Sequence, residues 1–178
     1  MILPEERLDE LFATLPLISY KGKDLKPVFD FGTRTDLNAF LADKRREAQF
    51  KKADLYPVVW LETPFTDTGS DVRITFPLVL ILATLTNTDI TNKDRLNDTF
   101  KLQLIPLFDN IKTALKSSGF TQVLTPPNRK SDEAFNITRY YNYGVKDDKQ
   151  HPTSEIWDAM KIGCDLAMTD QCQREFNY

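Results

Sequence analysis

One histidine, two cysteines and six glycines are all that this 178-residue chain holds of the residues most used for metal binding, thiol chemistry and phosphate binding. His151 lies in the polar stretch DDKQHPTSE. With Cys164 and Cys172 it forms none of the spacings of a zinc site, so neither a metal centre nor histidine-based catalysis is expected. The two thiols read as reduced cysteines rather than as a disulfide framework. The glycines are scattered and make neither GxGxxG nor GxxxxGK, which excludes a recognisable phosphate loop. A basic surplus is also lacking: the net charge is −3. Nothing therefore announces a nucleic-acid-binding domain, although KDLK and DKRREAQFKK gather positive charge locally. The start, MILPEERLDELF, lacks the basic segment and apolar core of a signal peptide. No apolar run is long enough for a membrane helix, which needs about twenty residues. The longest, Phe76 to Ala83, is interrupted by threonines on either side.

What remains is ordinary globular material. The chain is 41% apolar and 28% charged, and a chain of this length buries a core without staples. It reads as a single domain over residues 1–178. Pro4 followed by EERLDELFATL predicts a helix with Leu8, Leu11, Phe12 and Leu15 on one face, ended by Pro16. Docking on the body of the protein is the preferred role of this helix; the alternative is an arm that packs on a neighbouring subunit. ISY and PVFDF, on either side of KGKDLK, read as the two arms of a hairpin turning at Gly22. A second helix follows over TDLNAFLADKRREAQF, capped by Thr35 or Asp36, with Leu37, Phe40, Leu41 and Ala48 as a thin apolar stripe.

YPVVWLETPF predicts a strand, and TDTGSD a turn or loop. DVRITFPLVLILATLTNTD alternates at first, with Val72, Ile74 and Phe76 against Arg73, Thr75 and Pro77. From Leu78 to Leu82 both faces are apolar. That pattern belongs to a strand passing from one-sided into two-sided covering. The long helix runs through Phe100, Leu104, Leu107, Phe108, Ile111 and Leu115 and stops at Gly119. Pro106 inside it demands a kink or a looser turn before the main segment. TPPNRKSDE is a loop, FNITRYYNYGV a strand, and IWDAMKIGCDLAMTDQC a second strand. The buried face of that last strand holds Ile156, Met160, Ile162, Cys164 and Leu166, with Asp158 as the exception. The expected fold class is α+β: a mainly antiparallel sheet with a long helix packed across one face. A second layer, or another subunit, must cover the other face. Trp60, Phe76, Leu78, Leu80, Leu104, Phe108 and Ile111 are the expected core.

Candidate chemistry is thin. The acid pairs Asp94 with Asp98 and Asp147 with Asp148 read as caps or solvated loops before they read as acid–base or metal sites. Ser117 and Ser118 at a helix end lack a base, since the histidine is distant in sequence. Cys164 behaves as a small hydrophobe on a buried face, and Cys172 has only Arg174 as a basic neighbour. Trp60, Tyr140, Tyr141 and Tyr143, with Arg139 and Lys146 nearby, would suit a stacking platform for single strands, but aromatics on strands are more commonly core or interface. No catalytic, cofactor-binding or metal-binding residue is assigned, and no enzymatic activity is expected.

Taken together, YPVVWLETPF, LVLILAT, NDTFKLQLIPLFDNIKTALKSSGF, ITRYYNYG and WDAMKIGCDLAM resemble, in order and spacing, a group of virion proteins of tailed phages of Bacteroidota, including crAss-like phages. The resemblance covers residues 56–172, the core region; residues 1–55, with the first helix, hairpin and second helix, lie outside it. It implies a tail-terminator-like fold and a structural role in the neck or tail-completion assembly. In that role copies close into a homo-oligomeric ring at the head–tail junction, between other neck, portal or tail proteins. DNA passes through without sequence-specific binding, and the subunit resides in the virion after assembly in the host cytoplasm. No catalytic residues come with it. The alternative is a soluble protein–protein binding module, monomeric or dimeric.

Overall fold

The computed structural model describes residues 2–51, 57–87, 90–127, 134–143 and 155–170. The fold is α+β, with a mostly antiparallel sheet and one long helical segment packed against it, as expected. Helix α1 (Pro4–Phe12) starts on its proline, with Glu5 and Glu6 in the positive first turn. It buries Leu8 and Phe12, and Leu15 follows them into the core, so this helix docks on the body of its own chain.

The hairpin differs from expectation. Strand β1 (Ile18–Tyr20) pairs not with PVFDF but with β2 (Lys23–Leu25), Tyr20 opposite Lys23. Lys21 and Gly22 both have positive φ, the backbone that a two-residue hairpin turn demands, so the chain reverses at once. PVFDF is thereby freed to become β3 (Val28–Gly32), which runs parallel to β4 (Val58–Glu62) in the main sheet. Helix α2 (Arg34–Lys51) follows. Its cap is neither Thr35 nor Asp36 but Thr33. The Thr33 N–H donates to Asp36 Oδ2 at 2.8 Å and the Asp36 N–H to Thr33 Oγ1 at 3.3 Å, a reciprocal capping box.

The apolar stretch is the fifteen-residue strand β6 (Arg73–Asn87), extended as its alternation predicts. A short strand, β5 (Thr68–Gly69), lies where a loop was expected and turns tightly into β6. Only glycine fits at position 69: a Cβ there would sit 2.1 Å from the Arg73 carbonyl oxygen. β6 pairs residue for residue with β9 (Glu155–Thr169), from Arg73 opposite Thr169 to Asn87 opposite Glu155. On its other side β4 takes Leu80 to Ala83 and β5 takes Ile74 and Thr75. Pro77 falls between those two pairings, where its missing N–H removes no bond to either. Beyond β9 lie β7 (Thr121–Leu124), a strand that the sequence reading missed, and β8 (Asn136–Tyr143). The main-sheet order is β3-β4-β6-β9, with β7 and β8 side by side along the far side of β9.

The long helical segment has three parts: α3 (Asn92–Arg95), a π-helix (Leu96–Leu104) and α4 (Ile105–Ser117). Proline 106 sits in the first turn of α4. Lacking an N–H and crowding the carbonyl four residues back, it favours a widened turn before it, the looser turn expected from the sequence. Gly119, at φ +80, follows the helix end.

The inner face of the sheet buries Leu61, Phe76, Leu78, Leu80 and Ile162 beneath α1, the π-helix and α4, which contribute Leu8, Phe100, Leu104, Phe108, Ile111 and Leu115. The outer face is covered only at one end. There Leu37 and Leu41 of α2 pack on Val58, Trp60, Ile81, Ala83, Trp157 and Ala159. The covering of the second face thus comes from this chain's own α2. Every expected core residue is buried, Trp60 included. Ala48, expected on the apolar stripe of α2, lies outside the described side chains.

Candidate functional site

The residues weighed for chemistry are not brought together. Asp94 sits in the first turn of α3, whose cap is Thr91: its N–H donates to Thr91 Oγ1 at 3.2 Å and its carboxylate accepts from that hydroxyl at 2.7 Å. Asp98 instead clamps the small hairpin to the π-helix. Its Oδ2 accepts from Tyr20 Oη at 2.9 Å and from Lys21 Nζ at 2.7 Å. Burial holds the Tyr20 hydroxyl above its usual range, and the bond to Asp98 holds the Lys21 ammonium higher still. Ser118 closes the turn into β7, its Oγ 2.6 Å from Thr121 Oγ1.

Cys164 is buried on the inner face, and that burial pushes its thiol up to about 12. The group is a hydrophobe rather than a nucleophile. His151, Cys172, Asp147, Asp148, Lys146 and the Tyr143 side chain lie outside the described residues. Among the described residues no group of three acids, cysteines or histidines is placed to hold a metal ion. Nor, among them, is any helix long and apolar enough to cross a membrane.

The aromatic platform does not form from the residues described. Trp60 is buried under Phe40, with its Nε1 donating to the Gly32 carbonyl at 3.1 Å. Tyr140 turns to the same outer cluster. Tyr141 turns the other way, onto Phe100 at 4.8 Å between ring centroids. These rings serve the two faces of a sheet.

Among the described residues, the buried polar side chains gather at the end of the inner face. Arg95, Thr99 and Gln103 recur every four residues along α3 and the π-helix, and all are buried. They face Thr84 and Asp158, which pair across β6 and β9. Thr84 Oγ1 donates to Gln103 Oε1 at 3.0 Å. Arg95 Nη1 donates to the Tyr141 carbonyl and stands 3.9 Å from Asp158 Oδ1.

Asp158 is 0% exposed, and neither of its oxygens has a protein hydrogen bond of good geometry. Burial raises its carboxyl to about 6, against the opposing pull of Arg95 and of the Thr99 and Thr86 hydroxyls. The pair ties the start of the π-helix to β8 and β9. Sequence reasoning marked Asp158 as the polar exception on a buried face but missed Arg95. The available signal was that a buried acid calls for a buried base, at the helix position in line with Thr99 and Gln103.

Two surfaces are left uncovered by the described residues. Past α2, the outer face presents Pro77, Val79, Gly163, Asp165, Asn136 and Thr138 as a mixed half-face crossed by the Lys161–Glu62 ion pair at 2.7 Å. A Cβ built on Gly163 would meet nothing within 4 Å. The sheet also ends in edges to which no described strand pairs, β3 on one side and β7 with β8 on the other. A recess of about 740 Å³ between the start of α1 and the β5–β6 turn is lined by Ile2, Leu3, Glu5, Phe65, Asp67 and Ser70, among others. The Ser70 Oγ in it accepts the Val72 and Arg73 N–H groups of the β5–β6 turn. No protein-family model and no curated protein matches the chain.

Proposed function

We propose that this chain is a structural virion protein, a subunit of a neck or tail-terminator ring at a phage head–tail junction, and that it is not an enzyme. The reading starts from the resemblance of residues 56–172. The observation that carries it further is the pair of open sheet edges on opposite sides of one subunit. A subunit with two different free edges suits head-to-tail contacts, and such contacts close into rings when the rotation permits. The net charge of −3 suits a passage along which DNA slides without sequence-specific binding. Other neck, portal or tail proteins would lie above and below the ring, assembled in the host cytoplasm and retained in the virion.

Mass spectrometry of purified virions tests this reading. The expected result is a fixed copy number per particle, and absence from the virion would overturn it.

One observation favours the second reading, a protein-binding module acting as monomer or dimer. Both faces of β6 around Ile81 and Ala83 are covered within one chain, so burial of the apolar stretch makes no demand for neighbours. Light scattering across a concentration series separates the two: higher-order species support the ring, and a persistent monomer or dimer supports the module.

A further inference from the structure

We infer that successive copies join through the sheet itself, β3 of one copy lying antiparallel beside β8 of the next, with Phe31 against Ile137. This rests on the ring reading and specifies its contact. Phe31 pairs with Leu61, Leu61 with Leu80, Leu80 with Ile162, and Ile162 with Ile137. These five residues form one row across five strands, on the inner face. The three in the middle are buried. The two at the ends are exposed, Phe31 by 48% and Ile137 by 41%.

An apolar row that runs to both edges of a sheet and ends in exposed side chains is complementary to its own continuation. Strand direction agrees. β3 is parallel to β4, and each step from β4 to β6, to β9 and to β8 is antiparallel, so β3 runs against β8. A copy displaced sideways by the width of the sheet, without being turned over, therefore brings β8 antiparallel to β3 at the level of the same row. Sheet twist gives each such step a rotation, as a closed ring requires.

Charge does not oppose it: in this register Asp30 lies opposite Thr138, both on the outer face. A two-fold contact of β3 on β3, centred on that strand, would instead oppose two Asp30 carboxylates.

The β3 backbone is prepared for a partner and guarded until one arrives. The Val28 N–H donates to the Pro57 carbonyl on the β4 side. By alternation Phe29 and Phe31 turn their peptide groups outward. Asp30 Oδ1 accepts the Phe31 N–H at 2.8 Å, which blunts the edge of a free copy against indiscriminate pairing. β3 is only five residues long, so a single contact is weak; closure of the ring holds each copy on two sides.

Disulfide trapping tests the contact. In a full-length Cys172→Ser background, Phe31→Cys and Ile137→Cys are made singly and together, oxidised mildly and separated without reductant. The double variant is expected to give a ladder beyond dimer, the two single variants mixed are expected to give only a dimer, and each alone none. Phe31→Glu in the natural chain is expected to raise the concentration for assembly by about tenfold or more while leaving the thermal midpoint unchanged, because the side chain is exposed.

A dimer from either single variant, with no ladder from the double, would replace this contact by a two-fold one. Higher-order species by light scattering with no ladder, and with Phe31→Glu assembling normally, would leave the ring reading in place and overturn the edge contact. A monomer in every measurement would overturn both.

Discussion

The two faces of the central sheet are unequal. The inner face is apolar except at the end that holds Thr84 and Asp158 against Arg95, and it lies beneath a helical segment that runs through α3, the π-helix and α4. The outer face is covered by Leu37 and Leu41 at one end, and beyond them it is mixed, with Val79 beside Gly163, Asp165 and Thr138, and no described element lies over it. The inner face holds the molecule together. The open half of the outer face, with the two edges beside it, is where anything from outside has room to bind. The contrast teaches that the apolar stretch in β6 is a matter of folding, whereas the uncovered strip next to it is the place to look for contacts.

Substitutions sharpen that contrast. Phe108→Ala, on the inner side, is expected to lose about 3–5 kcal/mol in chemical denaturation; a loss under about 1 kcal/mol would mean that the ring is not packed as described. Asp158→Leu is expected to lose a comparable amount, about 3–5 kcal/mol, because it leaves the buried Arg95 facing an aliphatic side chain with no acceptor oxygen. Asp158→Asn keeps the shape and removes the charge, so at neutral pH it should be no less stable than the natural chain.

A pH series follows from the same residue. Folded Asp158 binds its proton up to about pH 6, whereas an unfolded carboxyl releases it near 3.9, roughly. The folded state thus holds the proton more tightly. The contribution of Asp158 to stability is greatest in acid, falls as pH rises between about 4 and 6, and is level above that, by at most about 3 kcal/mol. Denaturation midpoints of the natural chain and of Asp158→Asn, compared across that window, should converge in acid relative to their gap at neutral pH. A constant gap would show that the carboxyl is not buried.

Thr33→Ala removes the cap of the helix that shields half of the outer face, and about 1 kcal/mol should go with it. The smallest effect belongs to the bare strip. Lys161→Ala breaks a part-exposed ion pair and is expected to change stability by less than about 1 kcal/mol; a larger loss would mean that this half-face is structurally coupled to the core.

Period and propensity were enough to read much of the fold. The alternation of Arg73 to Phe76, followed by two-sided apolar residues, predicted a strand covered first on one side and then on both, and β6 is that strand. The apolar spacing from Phe100 to Leu115 predicted the buried helix stripe, and Pro106 the irregular turn before its main segment. What failed depended on pairing. PVFDF has the composition of a hairpin arm, and only the positive-φ turn at Lys21 and Gly22 reveals that β1 finds its partner sooner. TQVL is too short to announce itself; its strand character comes from lying against Asp165 to Met168 near the end of β9. The Arg95–Asp158 pair joins residues far apart in the chain, and no local pattern links them. The open edges were not legible either, since an edge is defined by what fails to pair.

The arrangement around β9 has a consequence for how the molecule is made. That strand is the last one described, yet β6, β7 and β8 all pair with it. The middle of the sheet therefore cannot close until residues 155–169 have left the ribosome, and contacts so distant in sequence form slowly. Until then the oily β6 has no companion along one side. A nascent chain stalled before residue 155 should stick to chaperones or to its own kind, and one extended past β9 should release.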